Sequence, residues 1–257
     1  MKLSSVDLYR YNLKLNHPLI IKGSKSPTRE GLILHIQSSD GKEGFGEIAP
    51  LTGFSQEPFE ETIRQIQSFK HFLLSENIPD HLEKLDERFE DWLMRFNLFP
   101  SVRFGCEMAI LHYLANQKHT TLARLLSDTP HESIRLSGLL QGTKDEVLVE
   151  LKKLLDKGYR SFKLKVGLNL QDDIDKTQAV IKMINGQALL HLDVNQGWSL
   201  NHAIQFVEEV GLAFIEYVEE PFQDINMIEE FVTRTTVPVA LYESLTGMNF
   251  NEIKSID

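Results

Sequence analysis

The pattern of hydrophobic and polar residues along the chain changes near residue 130. Before that point, alternating segments at residues 6–15 and 32–37 predict strands, and a short third strand ends at Glu47. Apolar residues at helical spacing follow, and Ser55 marks the expected start of the first helix. The helices are predicted at 55–76, 81–95 and 102–117, with a short one at 119–126. Residues 1–130 therefore predict an α+β domain, a small sheet followed by helices.

The segment between the two long strands, residues 17–31, has a different composition. It contains two prolines and two glycines within fifteen residues. Since both residue types interrupt regular structure, the sequence predicts a mobile loop here rather than a strand or a helix.

The second part of the chain, residues 131–257, alternates strand and helix patterns. Apolar strand segments recur with short connections, and each turn begins with Gly, Asp, Asn or Pro. The strands are predicted at 134–141, 161–166, 188–194, 213–218 and 237–242, and helices at 143–158, 169–184, 199–211, 225–236 and 249–256. Such βα units predict a parallel sheet.

Two features of this part choose between parallel folds. It has neither the G-x-G-x-x-G fingerprint of dinucleotide-binding folds nor a phosphate-binding P-loop, which argues against a nucleotide-binding fold. A (β/α) barrel is favoured instead, but a closed barrel needs about eight strands and only five are predicted. The predicted fold class is therefore α/β, an apparently incomplete barrel preceded by an α+β domain.

Composition limits the classes of protein that remain. The chain is 42% hydrophobic and 25% charged, which is typical of a globular protein, and its formal net charge of −10 argues against binding to nucleic acid. A single cysteine, Cys106, cannot form an internal disulfide and is expected to be an inert buried thiol. We expect no signal peptide and no membrane span, and hence a cytoplasmic location.

Two lysines on the second barrel strand are the first candidates for chemistry. Lys163 and Lys165 are two residues apart, so their side chains share one face of the strand about 6.5–7 Å apart. Two ammonium groups this close are expected to lower the pKa of at least one of them, which would make it a base near neutral pH. The alternative is a pair of exposed lysines on an edge strand.

Acidic residues follow at the carboxyl ends of the next three strands. Asp193 ends one strand, with Asn195 on the same face; Glu219 and Glu220 end the next, and Glu243 follows the last. The carboxyl ends of barrel strands form active sites, and carboxylates from separate strands suit a hard cation such as Mg²⁺. Each acid alone could instead be a helix cap or a solvated charge. His191, deeper in its strand, is expected to pack rather than to bind metal.

This ordered set of motifs resembles the enolase superfamily, and its muconate-lactonizing subgroup in particular. K-x-K is followed by D-x-N, then E-E-P, and then an acid before Ser-Leu, with one βα unit between successive motifs. Within the subgroup, the segments at residues 44–57, 100–105 and 136–142 resemble the o-succinylbenzoate synthases of menaquinone biosynthesis. The resemblance implies that residues 1–130 form the capping domain of that fold.

The resemblance also implies an activity: dehydration of a small-molecule carboxylate substrate. Lys165 would transfer the proton, and Lys163 would orient and tune it. Asp193 and Glu219 would bind Mg²⁺, with Mn²⁺ able to replace it, and Asn195 would support these ligands. As the resemblance to this superfamily implies, the bound metal would stabilise an enediolate formed from the substrate, and water would then be lost by syn elimination.

Segment 17–31, with Gly23 and Ser24 at its centre, corresponds to the loop that covers the substrate in this family. Segment 17–31 would then exclude water from the site.

Two departures from the family pattern leave alternatives open. Tyr242 stands where the family has its third acidic ligand. Glu243 could replace that ligand, but successive strand residues point to opposite faces, so the chain would have to twist for Glu243 to point inward. The alternative is a site with two carboxylates only. The family has a further lysine on a sixth strand, which would fall beyond Asp257. Lys254 is expected on the surface and would not take its place.

Several functions and assemblies therefore remain open. An N-acylamino acid racemase, a dipeptide epimerase and a non-catalytic enolase-like protein are the rivals to a dehydratase. We expect residues 1–257 alone to aggregate or to be inactive, unless further chain or a partner subunit covers the last strand. The oligomeric state is open.

Overall fold

The computed structural model describes residues 2–21, 24–78, 87–245 and 248. The chain divides into two compact units, Met1–Glu132 and Ser133–Asp257, and each contains its own cluster of buried apolar side chains. This division falls close to the change of sequence pattern near residue 130. Within the described stretches, no helix combines the length and apolar character that crossing a membrane would require.

The first unit is a three-stranded antiparallel sheet covered by helices. The strands are in the order β1-β2-β3. They are β1 Leu3–Ile21, β2 Ser24–Ser38 and β3 Glu43–Ile48, and the helices are α1 Phe59–Ser75, α2 Glu87–Met94, α3 Pro100–Gln117 and α4 Leu122–Leu126. The strands alternate as predicted, because Leu34 and Ile36 of β2 are fully buried beneath the helices.

The expectation that residues 17–31 form a loop without regular structure is wrong for the described residues. β1 extends to Ile21 and β2 begins at Ser24, so most of the segment lies in a long hairpin, while Gly23 lies outside the described residues. The ladder is irregular between the pairs Lys14–Thr28 and Leu19–Ser26. Both prolines of the segment fall in this irregular stretch, where the missing N–H of proline costs no regular ladder bond.

A close approach between β3 and α3 explains the Gly-Phe-Gly sequence of β3. A Cβ atom on Gly46 would lie 1.9 Å from the carbonyl oxygen of Gly105, and one on Gly105 would lie 2.3 Å from the Ile48 side chain. Only glycine allows the backbones to come this near. The first helix also differs from its prediction, because α1 begins at Phe59, after the N-cap residue Pro58, and not at Ser55.

The second unit is the predicted series of βα units. Five parallel strands lie in the order β4-β5-β6-β7-β8. The strands are β4 Gly138–Leu140, β5 Ser161–Lys165, β6 Leu189–Asp193, β7 Ile215–Glu219 and β8 Val239–Ala240, and the helices are α5 Lys144–Asp156, α6 Leu170–Ile184, α7 Leu200–Val210 and α8 Met227–Thr235. The predicted first and last strands are shortened, and the predicted helix at 249–256 lies outside the described residues.

Side-chain alternation gives this sheet two different faces. Phe162, Leu164, Leu192 and Val218 are buried on one face, in the cluster that the helices cover. The residues between them point to the opposite face, as a period of two requires. That opposite face carries Lys163, Lys165, His191, Asp193, Tyr217 and Glu219. The fold therefore brings the candidate residues Lys163, Lys165, Asp193 and Glu219 to one side of the sheet.

Candidate active site

Three of the predicted residues lie side by side at the carboxyl ends of their strands. In the parallel ladders Lys165 is paired with Asp193, and Asp193 with Glu219. Lys163 lies one layer deeper, beside His191. Because neighbouring parallel strands are about 4.8 Å apart, long side chains in these layers can meet directly.

The two lysines hold the two carboxylates together. The Lys163 Nζ atom lies 3.0 Å from Asp193 Oδ2 and 2.7 Å from Glu219 Oε2, so it bridges both acids. Lys165 Nζ lies 3.1 Å from the same Asp193 oxygen and donates to Asn195 Oδ1 at 2.8 Å. The Lys165 side chain keeps 38% of its surface exposed, whereas that of Asp193 keeps 3%. Lys165 is therefore the most exposed member of the cluster, ahead of Lys163 at 30%.

The pKa of Lys163 moves upward, opposite to the lowering expected for at least one of the two lysines. Burial acts to lower the pKa of Lys163, but its hydrogen bonds to Glu219 and Asp193 outweigh burial and raise that pKa above its ordinary value. Lys163 is therefore not a lysine with a lowered pKa, because carboxylates and not the second ammonium group are its nearest charges. Burial likewise acts to raise the pKa of Asp193, while the two lysine donors hold it below its ordinary value.

The turn after β8 decides between Tyr242 and Glu243. β8 ends at Ala240 and a 3₁₀ turn covers Glu243–Leu245, so strand alternation does not apply to Glu243. Asn195 Nδ2 donates to Glu243 Oε1 at 3.1 Å, while Tyr242 is 55% exposed. Asn195 thus contacts both Lys165 and Glu243, and its backbone N–H donates to Asp193 Oδ1 at 3.3 Å.

These residues fit a divalent cation. Asp193 and Glu219 already converge on one cationic group, and a metal ion between them would take the place of the Lys163 ammonium group. The second carboxylate oxygen of Glu243 is buried, with no hydrogen-bond partner among the described residues. A buried carboxylate oxygen without a donor is costly, and a cation would satisfy it. The described residues hold no preassembled group of three His, Cys, Asp or Glu ligands.

Glu220 lies beside Glu219 in the chain but has different surroundings. It is fully buried, and its carboxylate accepts hydrogen bonds from the side chains of Gln196 and Ser244 and from the backbone N–H groups of Tyr242 and Ser244. Although burial acts to raise its pKa, these donors hold the pKa below the ordinary value of 4.5. Glu219, and not Glu220, therefore faces the lysines, as predicted.

The part that Glu220, Gln196 and Ser244 play together could not be read from the sequence. Strand alternation places Glu220 on the side of buried Val218, opposite to Glu219. The E-E-P motif does not indicate which donors the buried carboxylate meets, because Gln196 and Ser244 come from the loops after two other strands.

His191 occupies the layer below the charged groups. Its ring stacks on Tyr217 with centroids 4.3 Å apart, and its Nε2 atom lies 2.6 Å from Glu216 Oε2. These contacts agree with the expected packing role.

Comparison with known proteins places this geometry in a family. Residues 3–113 match the family model described as MenC, N-terminal domain, and residues 146–252 match the one described as Enolase C-terminal domain-like. The predicted resemblance to the enolase superfamily is confirmed, and so is the predicted fold class of a capping domain followed by part of a (β/α) barrel.

Three curated relatives differ in how much of their length the chain covers. Protein PHYLLO, chloroplastic, of Arabidopsis thaliana is 31% identical over 95% of this chain and 15% of that protein. An o-succinylbenzoate synthase from Haemophilus influenzae is 28% identical over 97% of this chain and 69% of that protein. An N-succinyl-L-Arg/Lys racemase from Bacillus cereus is 23% identical over 95% of this chain and 67% of that protein.

Solved structures agree on the fold. A dipeptide epimerase from Enterococcus faecalis, complexed with Mg and a dipeptide, superposes with a TM-score of 0.83 at 19% identity, covering 95% of this chain and 68% of that one. An o-succinylbenzoate synthase from Thermosynechococcus elongatus, complexed with Mg, gives 0.67 at 22% identity, covering 92% and 68%. At these identities the likeness establishes the fold alone.

Proposed function

We propose that this chain carries the catalytic lysine and the metal ligands of a dehydratase that forms o-succinylbenzoate in menaquinone biosynthesis. The observation that supports it best is the position of Lys165. Its side chain is partly exposed, and its Nζ atom is held by Asp193 and Asn195, next to two carboxylates that converge on one cation. The o-succinylbenzoate synthase relative and the match of residues 3–113 to the MenC N-terminal domain favour this substrate class.

In this proposal Asp193, Glu219 and Glu243 hold a Mg²⁺ ion. When bound, the ion supplies positive charge that offsets the negative charge developing on the substrate carboxylate. Asn195 keeps Glu243 and Lys165 in place through its two amide atoms. Lys163 balances the carboxylate charge beside Lys165.

Lys165 performs both proton transfers of the dehydration. As a neutral amine it takes the α-proton, so the C–H electrons stay on the substrate and Lys165 becomes an ammonium group. The C–O bond then breaks, and the departing hydroxide takes the proton from Lys165 and leaves as water. One lysine can serve both steps only when proton and hydroxide leave from the same face, so the proposal implies syn elimination.

The second candidate is racemisation or epimerisation of an N-acylated amino acid or a dipeptide. The racemase relative and the epimerase neighbour favour it. Racemisation needs a proton carrier on each face of the α-carbon, whereas Lys163 and Lys165 both come from one face of β5. Dehydration needs a proton carrier on one face only, which the described residues can provide.

Parallel assays in D₂O separate these candidates. Residues 1–257 and a form lengthened by further βα units are each given, with Mg²⁺, the succinyl-hydroxycyclohexadiene carboxylate and, separately, N-succinyl-L-arginine, with Lys165→Ala as the control. Formation of o-succinylbenzoate that depends on Lys165 is the expected result. Deuterium uptake with inversion of N-succinyl-L-arginine and no o-succinylbenzoate would favour the racemase. Metal binding without either reaction would favour a non-catalytic protein.

A further inference from the structure

A single buried carboxylate joins the loops that follow β6, β7 and β8. Glu220, just after β7, accepts from Gln196 Nε2 at 3.0 Å and from Ser244 Oγ at 2.6 Å. The backbone reinforces the same junction, because Gln196 N–H donates to Glu220 O at 2.7 Å and Glu220 N–H donates to Ala240 O at 2.9 Å. Three loops from three strands therefore meet at one residue with no exposed surface.

The bonds to the turn after β8 fix the direction of Glu243. The N–H groups of Tyr242 and Ser244 both donate to Glu220 Oε1. Since the residues on each side of Glu243 are tied to the same oxygen, Glu243 has little freedom to rotate. Its side chain is held toward Asn195, whose Nδ2 atom lies 3.1 Å from Glu243 Oε1.

We propose that Glu220 is a positioning residue, which holds the turn after β8 so that Glu243, in place of the tyrosine before it, serves the metal site. This inference rests on the proposed function, in which Glu243 is the third metal ligand. The Glu220 carboxylate is bonded to Gln196, Tyr242 and Ser244 and acts through the Tyr242–Ser244 backbone. A carboxylate suits this task because it accepts several N–H and O–H donors at once and, when buried, it must keep them.

A double-mutant cycle on metal affinity tests the coupling. Mn²⁺ binding is measured by electron paramagnetic resonance for the wild type, Glu220→Gln, Glu243→Gln and the double variant, with exposed Glu229→Gln on α8 as the matched control. Glu220→Gln is expected to weaken binding about 10–100-fold, as the loss of outer support does. In the Glu243→Gln background it should cost no further affinity. Equal losses in both backgrounds, or unchanged affinity in Glu220→Gln, would overturn the proposal.

Hydrogen exchange supplies a readout that needs no metal and no substrate. The amides of Tyr242 and Ser244 should exchange at least about tenfold faster in Glu220→Gln, while the amides of β5 and β6 keep their rates. Unchanged exchange at both amides would overturn the positioning role. If the wild type fails to bind Mn²⁺, the proposed function fails, and exchange alone then decides the role of Glu220. Ser244→Ala, which removes one of the bonds, replaces Glu220→Gln if that variant does not fold.

Discussion

Glu219 and Glu220 are neighbours in the chain, yet they belong to two regions of opposite character. The lysine–carboxylate cluster, formed by Lys163, Lys165, Asp193 and Glu219, is open on the side of its lysines, whose side chains keep 30% and 38% of their surface exposed. The Glu220 network, formed by Gln196, Glu220, Tyr242 and Ser244, centres on a carboxylate with no exposed surface. In the first region the partners are flexible ammonium groups, and in the second two of them are backbone N–H groups.

The difference teaches how one strand end can serve both chemistry and support. The lysines of the open region keep contact with solvent, which weakens their ion pairs with the carboxylates, so a metal ion or a substrate can replace one partner. Hydrogen bonds to a buried charged group contribute about 1.5–3 kcal/mol, so their loss is felt in stability. Because successive side chains of a strand point to opposite faces, two neighbouring residues can carry the two roles.

The largest expected effect is in the open region. Lys165→Ala should reduce α-proton exchange and dehydration at least about 10²-fold, because the neighbouring Lys163 is held by Asp193 and Glu219 and does not take the position of Lys165 beside Asn195. Deuterium exchange and product formation measure the effect, and circular dichroism should show an unchanged fold. Lys153→Ala on α5, which removes an exposed lysine, is the matched control and should keep full activity. Near-normal turnover in Lys165→Ala would refute its assigned role.

The second effect concerns metal. Asp193→Asn should weaken Mn²⁺ binding by more than the about 10–100-fold typical of outer-shell changes, since it removes a carboxylate that would contact the ion directly. Titration followed by electron paramagnetic resonance measures the affinity, and anomalous scattering from Mn²⁺-soaked crystals should place the ion between Asp193 and Glu219. An ion bound elsewhere, or unchanged affinity in the variant, would contradict this prediction.

The contrast between the regions also shows what a sequence can predict. Periodicity located every βα unit of the second part up to β8, because apolar residues at fixed spacing are a direct record of which face is buried. The same reasoning placed Lys163, Lys165, Asp193 and Glu219 on one face, since strand alternation and parallel order are general.

What the sequence could not provide depends on backbone turns and on distant partners. The prolines of residues 17–31 predict a loop, but they fall where the pairing of β1 and β2 is irregular, and the strands continue on either side. The raised pKa of Lys163 depends on carboxylates from two other strands. The inward direction of Glu243 depends on where β8 stops, which the buried carboxylate of Glu220 helps to set.

A third effect separates the two glutamates directly. Glu220→Gln should lower the free energy of unfolding by about 1–3 kcal/mol at neutral pH, whereas Glu219→Gln should change it by less than about 1 kcal/mol and weaken Mn²⁺ binding instead. Urea denaturation of the metal-free proteins measures both values. Equal destabilisation by the two variants would remove the distinction between the regions.

The pH dependence of that difference has a definite sign. The pKa of Glu220 is below its ordinary value of 4.5 in the folded chain, so the ionised group stabilises the fold above pH 4.5 and this contribution is lost as pH falls through the folded pKa. The difference between wild type and Glu220→Gln should therefore be full at pH 7 and shrink below pH 4.5. A difference that grows on acidification would contradict the assignment.

The smallest effect tests whether the Glu220 network is as tightly bonded as its distances indicate. Ser244→Ala removes the hydroxyl that lies 2.6 Å from Glu220 Oε2 but leaves the Ser244 backbone N–H bonded to Oε1. Because three donors remain on the carboxylate, we expect a loss of only about 1 kcal/mol in the free energy of unfolding. Exposed Ser133→Ala is the matched control and should be neutral within about 0.5 kcal/mol. Indistinguishable urea midpoints for the two serine variants would show that the Ser244 hydroxyl does not support the turn, and that the backbone donors alone hold it.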